Sequence, residues 1–352
     1  MEEDPIRTEI IPDCLLCGNK GRRIYNGLVD RLYSVGGKWS YVRCPDCGFI
    51  WLSPRPIPED QGKIYQDHYF SHKETNFQGI ASSPAKKHLK TIVLGSGFGY
   101  RHLHPPALFT SAFSRLIMMM PYLNRKVTMN LGALLLPYCE GGRLLDIGCG
   151  NGSYLALMKE LGWQVAGIET DPVAAEIAGS NLRIPVHTGT LEDAPLDRAS
   201  FDAVTAIHVL EHVADPLDFI RKACEFLKPG GMLVAVMPNI RSLGHRLFKK
   251  NWYKLDPPRH FTAFSPETLR RCIVQTGCLR VRKIRTISRI SGKIFRKFVL
   301  VKQTGYFSHA SEEALKNKSW IIISGRLFSF IERIGNPLFN WGEEIECVLI
   351  KN

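Results

Sequence analysis

Four cysteines stand in two pairs, Cys14-Leu15-Leu16-Cys17-Gly18 and Cys44-Pro45-Asp46-Cys47-Gly48. Each C-x-x-C step can turn two thiolates toward one ion, and the following glycine permits the positive φ such a turn needs. Two turns together make a tetrahedral sulfur site, which suits Zn²⁺. Four thiolates close the coordination sphere, so the ion is expected to hold structure and not to react. A redox dithiol would need a strand-then-helix setting that this segment does not supply. A second group of residues has a different use. Asp146, Gly148, Cys149, Gly150 and Gly152 form a D-x-G-C-G-x-G string, and Glu169 follows 17 residues after Gly152. Glycines let the backbone turn sharply and let a ligand lie against it. A carboxylate at that distance can accept from both hydroxyls of a ribose.

These residues need elements to hold them. Arg143–Ile147 reads as a buried strand, 153–162 as a helix, and Trp163–Ile168 as a second strand that ends in Glu169. Strand, glycine turn, helix, strand and acid make the nucleotide-binding half of a doubly wound α/β fold. The cysteine pairs flank short strands around Gly36-Gly37, a segment with too few apolar positions to fold without a metal staple. Three prolines within 54–58 predict an extended connector. Ser265-Pro266-Glu267 predicts a capped helix over 266–276.

The string LLDIGCGNGSYLALMKELGWQVAGIETDP resembles the first two motifs of class I S-adenosylmethionine-dependent methyltransferases. Gly189–Asp193, Ser200–Val204 and Leu227–Gly231 are similar to later parts of that family. His208-Val-Leu-Glu-His-Val213 is similar to the ubiquinone-biosynthesis O-methyltransferases. The resemblance is close over 142–240 and looser to the final strand at 345–351. It implies a Rossmann-like sheet of seven strands, with a small N-terminal zinc ribbon and an inserted helical, basic C-terminal segment. It implies S-adenosylmethionine bound by Asp146, Gly148, Cys149, Gly150, Gly152, Glu169 and Thr170. Leu191 and Glu192 would contact the adenine, because Thr190 stands where the family often has an acid. The ranges read as ribbon 1–52, linker and helical lid 53–125, and methyltransferase domain 126–352. That last range comprises a cofactor half at 142–240, a substrate-side segment at 241–344 and the last strand.

Methyl transfer to a hydroxyl needs alignment and often a base, and histidine suits the second task. His208 follows the predicted fourth strand, at the edge where ligands bind in this fold. It is the expected base, with a rate that rises through an ordinary imidazole pKa. His260, in Pro257-Pro-Arg-His-Phe261, is the second candidate, and Arg259 beside it could grip a phosphate or carboxylate. Glu211 and His212 are expected to brace the next helix. The acceptor is expected to be a small molecule, a glycan or a lipid-linked compound, with O-methylation first. C-methylation of a keto-sugar, RNA methylation and a non-catalytic cofactor-binding scaffold are the alternatives.

The 352 residues are 45% hydrophobic and 22% charged, with a mean hydropathy of −0.09. That composition excludes a disordered or fibrous chain. No apolar run is long enough to span a bilayer. The acidic N-terminus lacks the apolar core of a signal peptide, and the single cysteines fit a reducing cytoplasm. Net charge is +13, and residues 241–302 carry 17 Lys and Arg against Asp256 and Glu267. Interspersed Phe248, Trp252, Phe295, Phe298, Val299 and Leu300 suggest peripheral contact with the inner membrane face through this segment, with nucleic acid a weaker partner. Residues 107–138, with Met118–Met120, read as packing helix or greasy surface.

Overall fold

The computed structural model describes residues 5–65, 91–103 apart from 92 and 96, 136–288, 291–316 and 318–352. The expected lid and the methionine run at 118–120 lie mostly or wholly outside these residues. Contacts divide the chain into two compact units. One comprises residues 1–69, 206–225 and 232–352, and the other 70–205 and 226–231.

In chain order the strands and helices begin with β1 (Thr8–Glu9), β2 (Arg22–Leu28), β3 (Trp39–Arg43), β4 (Ile50–Leu52) and β5 (Arg55–Pro56). Then come β6 (Arg143–Ile147), α1 (Ser153–Glu160), β7 (Gln164–Glu169), α2 (Pro172–Leu182), β8 (Val186–Thr188) and β9 (Phe201–Ile207). These are followed by α3 (Pro216–Phe226), β10 (Leu227–Pro238), α4 (Leu243–Phe248), β11 (Thr262–Ala263), α5 (Pro266–Thr276) and β12 (Leu279–Ile287). The chain closes with α6 (Ser291–Thr304), α7 (His309–Lys316), α8 (Ser319–Phe339) and β13 (Glu344–Lys351).

A seven-stranded sheet has the order β12-β13-β10-β9-β6-β7-β8. β6, β7 and β8 pair in parallel, whereas β13 runs antiparallel to both β10 and β12. Four of five residues in β6 are buried, the continuous apolar run of a strand covered on both faces. Between β7 and β8, α2 starts where Asp171 accepts from the Val173 and Ala174 amides and Pro172 fixes the first φ. Leu227–Gly231 is part of β10 itself, where the sequence suggests a turn ahead of it.

In the other unit, β2, β3 and β4 form an antiparallel meander joined on its open edge by β11, in the order β11-β4-β3-β2. Residues Thr262–Ala263 therefore complete the sheet of the cysteine-bearing segment. Its core mixes Trp39, Tyr41 and Leu52 with Trp252, Phe261 and Phe298. The Tyr41 hydroxyl lies 2.5 Å from the Leu255 carbonyl and 2.7 Å from the His260 carbonyl. Helix α5 spans the predicted residues, with a Ser265–Thr268 capping box and a left-handed Gly277 at its end. Trp252, Phe298 and Leu300 are buried, so they are core residues and cannot form the lipid-facing surface suggested by their spacing.

Candidate active site and metal centre

The glycine turn after β6 is built mainly from backbone. Gly148, Gly150 and Gly152 all have positive φ, at 68°, 53° and 76°, which side chains would resist. The Gly148 and Cys149 amides donate to the Ile168 carbonyl at 2.8 and 3.2 Å, tying the turn to the end of β7. Glu169 closes it from the side. Its Oε2 accepts from the Gly150 amide at 2.7 Å, and its Oε1 from the Asp171 amide at 3.0 Å. Thr170 Oγ1 lies 3.5 Å from the same Oε1. A carboxylate has about four lone-pair directions, so these bonds leave capacity for a ligand.

Asp146 is buried, and Thr205 Oγ1 donates to its Oδ1 at 2.6 Å. Burial pushes its carboxyl up to about 7, against that hydrogen bond and with help from the nearby Glu169 charge. The Cys149 thiol is buried and pushed up by burial too, so it lines the turn as a small apolar group. At the turn after β8, Leu191 is buried and Glu192 is exposed. The acid that organises this turn is Asp193, whose Oδ1 accepts from the Thr190 amide at 2.7 Å and the Thr190 hydroxyl at 2.9 Å. This acid sits three residues after Thr190, where the family often has one. The Thr190-x-x-Asp193 spacing, typical of a side chain that bonds nearby backbone, is the sequence signal for it.

In the other unit a polar cluster gathers around Glu211. His208, in a left-handed conformation just after β9, places Nδ1 3.2 Å from Glu211 Oε1 and Nε2 3.4 Å from Glu344 Oε1. Burial alone would lower its pKa. The two carboxylates outweigh that and raise it to about 9. Their pairing with the ring favours its charged form. Glu344 also takes a 2.8 Å bond from Lys254 Nζ, and these cations hold its carboxyl far below the usual range.

His212 and His260 behave in the opposite way. Their rings meet edge to face with centroids 4.6 Å apart, and burial lowers both pKa values to about 4. His260 Nδ1 lies 3.0 Å from the Lys254 carbonyl, which can only accept, so a neutral ring carries its proton on Nδ1; Nε2 lies 3.9 Å from Asp256 Oδ2. Nδ1 of His212 lies 3.1 Å from the Arg259 carbonyl and 3.2 Å from the Tyr65 hydroxyl. Ligand atoms of Glu211, His212 and His260 fall within 4.8 Å of one another, and Glu211 Oε2 is buried without a hydrogen-bond partner among the described residues. Glu211 and His212 do not supply the cap of α3. That helix is capped by Asp215, which accepts from the Leu217 and Asp218 amides at 2.9 and 3.1 Å.

Arg259 departs further from expectation. Its side chain is 0% exposed and grips an internal carboxylate, with Nη1 and Nη2 2.8 and 2.7 Å from the two oxygens of Asp30. Nε donates to Asp256 at 3.0 Å, and the guanidinium lies 4.6 Å over the Tyr33 ring. With its donors taken inside the protein, it locks the Pro257–Phe261 turn to the cysteine-bearing segment and offers nothing to a ligand.

The four paired cysteines converge. Cys14 Sγ lies 3.4 Å from Cys47 Sγ, and Cys17 Sγ 3.4 Å from Cys44 Sγ, with all four sulfurs within 4.8 Å. Gly18 and Gly48 close the two turns with positive φ, donating to the Cys14 and Cys44 carbonyls. Sulfurs about 2.3 Å from a central ion would be about 3.8 Å apart, close to this arrangement.

A family model described as a methyltransferase domain matches residues 120–281. The ubiquinone biosynthesis O-methyltransferase of Xanthomonas campestris pv. campestris (strain B100) is 40% identical over 99 residues, covering 26% of this chain and 41% of that protein. The protein of the same name from Cereibacter sphaeroides (strain ATCC 17025 / ATH 2.4.3) is 41% identical over 104 residues, covering 28% and 42%. The chain thus spans about two fifths of the length of these curated relatives. Among solved structures, an S-adenosylmethionine-dependent methyltransferase from Mesorhizobium loti aligns with a TM-score of 0.41 at 16% identity, covering 63% of this chain and 95% of that one. The YcgJ protein from Bacillus subtilis aligns at 0.39 and 18% identity, covering 64% and 94%. The glycine turn closed by Glu169 lies inside the region that the methyltransferase-domain model matches.

Proposed function

We propose that the protein transfers a methyl group from S-adenosylmethionine to a hydroxyl of a small-molecule, glycan or lipid-linked acceptor. The observation that carries this reading is the Gly148–Gly152 turn closed by Glu169, within the region matched by a methyltransferase-domain model. The cofactor supplies an activated methyl group. The chain supplies binding and proton handling. Asp146, Gly148, Cys149, Gly150 and Gly152 would cradle the cofactor, with Glu169 and Thr170 at the ribose and Leu191 and Glu192 at the adenine. His260 is the better base, because burial favours its neutral ring and the Lys254 carbonyl directs the proton to Nδ1, leaving Nε2 as the acceptor. His208, fixed between Glu211 and Glu344, would orient an acceptor or stabilise negative charge on its oxygen.

Glu211, His212 and His260 favour a second reading of the same cluster, in which they hold a divalent ion that lowers the acceptor's pKa. Neutral imidazoles and an unpartnered buried carboxylate oxygen suit such an ion. The four cysteines would hold a structural zinc. Incubating the protein with methyl-labelled cofactor and separated lipid, glycan, small-molecule and RNA pools tests the main reading. Label in one of the first three supports it, label in RNA alone replaces the acceptor class, and no label in any pool overturns it. Dialysis against a chelator separates base from metal, since only the metal reading expects activity to be lost and restored by added Mg²⁺ or Mn²⁺. Metal analysis of the reduced protein should find zinc, and Cys44→Ser should lose it.

A further inference from the structure

Helix α8 is 21 residues long and its two sides are reversed from those of an ordinary surface helix. The side packed inward is Ile321, Gly325, Phe328, Glu332 and Gly335, which includes two glycines and the helix's only acid. The outward side is the more apolar. Trp320, Ile323, Leu327, Phe330, Ile334 and Leu338 are all exposed, with Ile323 at 64%, Phe330 at 61% and Leu338 at 76%. Steps of three and four residues keep them on one stripe, about 27 Å long at 1.5 Å per residue. A stripe of this size is far more than the scattered apolar residues of a normal surface.

Charge identifies what covers it. At about 100° per residue, Arg326 and Arg333 fall together on one edge of the stripe. Both are exposed, as is Lys318 before the helix, whereas Glu332 is 0% exposed. The outward side of this helix is therefore apolar and cationic, with no acid. A second copy would bring a surface of the same sign. An anionic bilayer supplies both complements in the right order, headgroup phosphates above an apolar layer. No helix among the described residues is long and apolar enough to cross a membrane, so contact would be along the surface.

We propose that α8 lies flat on an anionic lipid surface, its stripe from Trp320 to Leu338 entering the headgroup region and Arg326 and Arg333 meeting lipid phosphates. This relocates the lipid contact from 241–302, whose Trp252, Phe298 and Leu300 are buried. It does not rest on the methyl-transfer reading, and its test reads no methyl transfer.

The full chain is mixed with phosphatidylcholine vesicles with and without phosphatidylglycerol and floated through a density gradient. Wild type is expected to float with the anionic vesicles at low salt and to be released as salt rises. Leu327→Ser/Phe330→Ser/Ile334→Ser should reduce flotation about tenfold or more. Arg326→Gln/Arg333→Gln should weaken it on anionic vesicles and flatten the salt dependence. Because the triple variant could misfold, a second readout uses an otherwise wild-type chain. Trp320 fluorescence should be quenched by brominated lipid, and Trp320→Phe should remove that quenching. Wild type that stays unbound, serine variants that float equally well, or quenching unchanged by Trp320→Phe would each overturn the proposal. So would a dimer that the serine variants dissociate, found without flotation.

Discussion

In the turn at 148–152 the groups that matter are backbone amides and carbonyls, fixed by glycines and one carboxylate. In the cluster around Glu211 they are side chains drawn from 208–212, 254–260 and Glu344, some fixed by opposite charges, and His212 and His260 by backbone carbonyls. The difference shows in the consequences of change. A backbone cradle keeps its shape while its φ angles are allowed, and it responds weakly to pH. A cluster of paired charges holds each member in a protonation state set by the others, so one substitution resets its neighbours. The first arrangement suits holding a cofactor, and the second suits moving a proton.

The largest expected break in this contrast is at His260. If its free Nε2 accepts the acceptor's proton, His260→Ala lowers turnover by about 10²–10⁴-fold, with cofactor affinity measured by calorimetry nearly unchanged. Loss of cofactor affinity in step with turnover would place the residue in the cradle's function instead. Next comes Arg259, whose removal leaves Asp30 and Asp256 as buried carboxylates without their cation. Breaking a buried ion pair costs about 3–5 kcal/mol, so Arg259→Ala should lower the chemical-denaturation midpoint sharply. An unchanged midpoint would mean that the Pro257–Phe261 turn does not depend on that link.

These two effects lie where the sequence was hardest to read. The glycine turn, its flanking strands and the cysteine pairs were legible because each is local: residue type and spacing over a few positions determine the geometry. The cluster was not, because its members come from separate elements and acquire their protonation states only from one another. From its position alone His208 is expected to be a base; the carboxylates of Glu211 and Glu344 beside it favour the charged ring. Arg259 looks like an anion clamp until Asp30, more than two hundred residues earlier, fills its fork. The basic segment misled for a related reason. Composition reports that aromatics and cations alternate, but only packing reveals that Trp252 and Phe298 point inward. β11, two residues long, carries no periodicity at all, yet it completes the sheet of the cysteine-bearing segment.

On the backbone side, Glu169→Ala should weaken S-adenosylmethionine by about tenfold or more, since each charge-assisted bond is worth about 1.5–3 kcal/mol. The structure sharpens this expectation, because Glu169 also anchors the Gly150 amide. Glu169→Gln keeps an oxygen acceptor for that amide and loses the charge. It should therefore retain the turn and fall between wild type and alanine in titration calorimetry. Identical losses for both variants would mean that charge on the ligand side is the whole effect.

The smallest expected effect is a pH dependence confined to His208. Its folded pKa, about 9, lies above the ordinary value of 6.5, because Glu211 and Glu344 favour the charged ring. Between those two pH values the folded state holds the proton that the unfolded state releases. The interaction therefore stabilises fully below about pH 6.5 and is lost as pH rises through about 9. Because the ring is 39% exposed, solvent screening reduces the gain well below what the shift alone implies, to about 1 kcal/mol. Subtracting the stability of His208→Gln from that of wild type cancels the titrating groups that His208 does not touch, including Asp146 and Glu343, both raised to about 7 by burial. The difference should be flat below pH 6.5 and shrink toward pH 9. A difference that instead grew with pH would mean that His208 is neutral in the folded protein, returning it to the role of base and removing the contrast with His260.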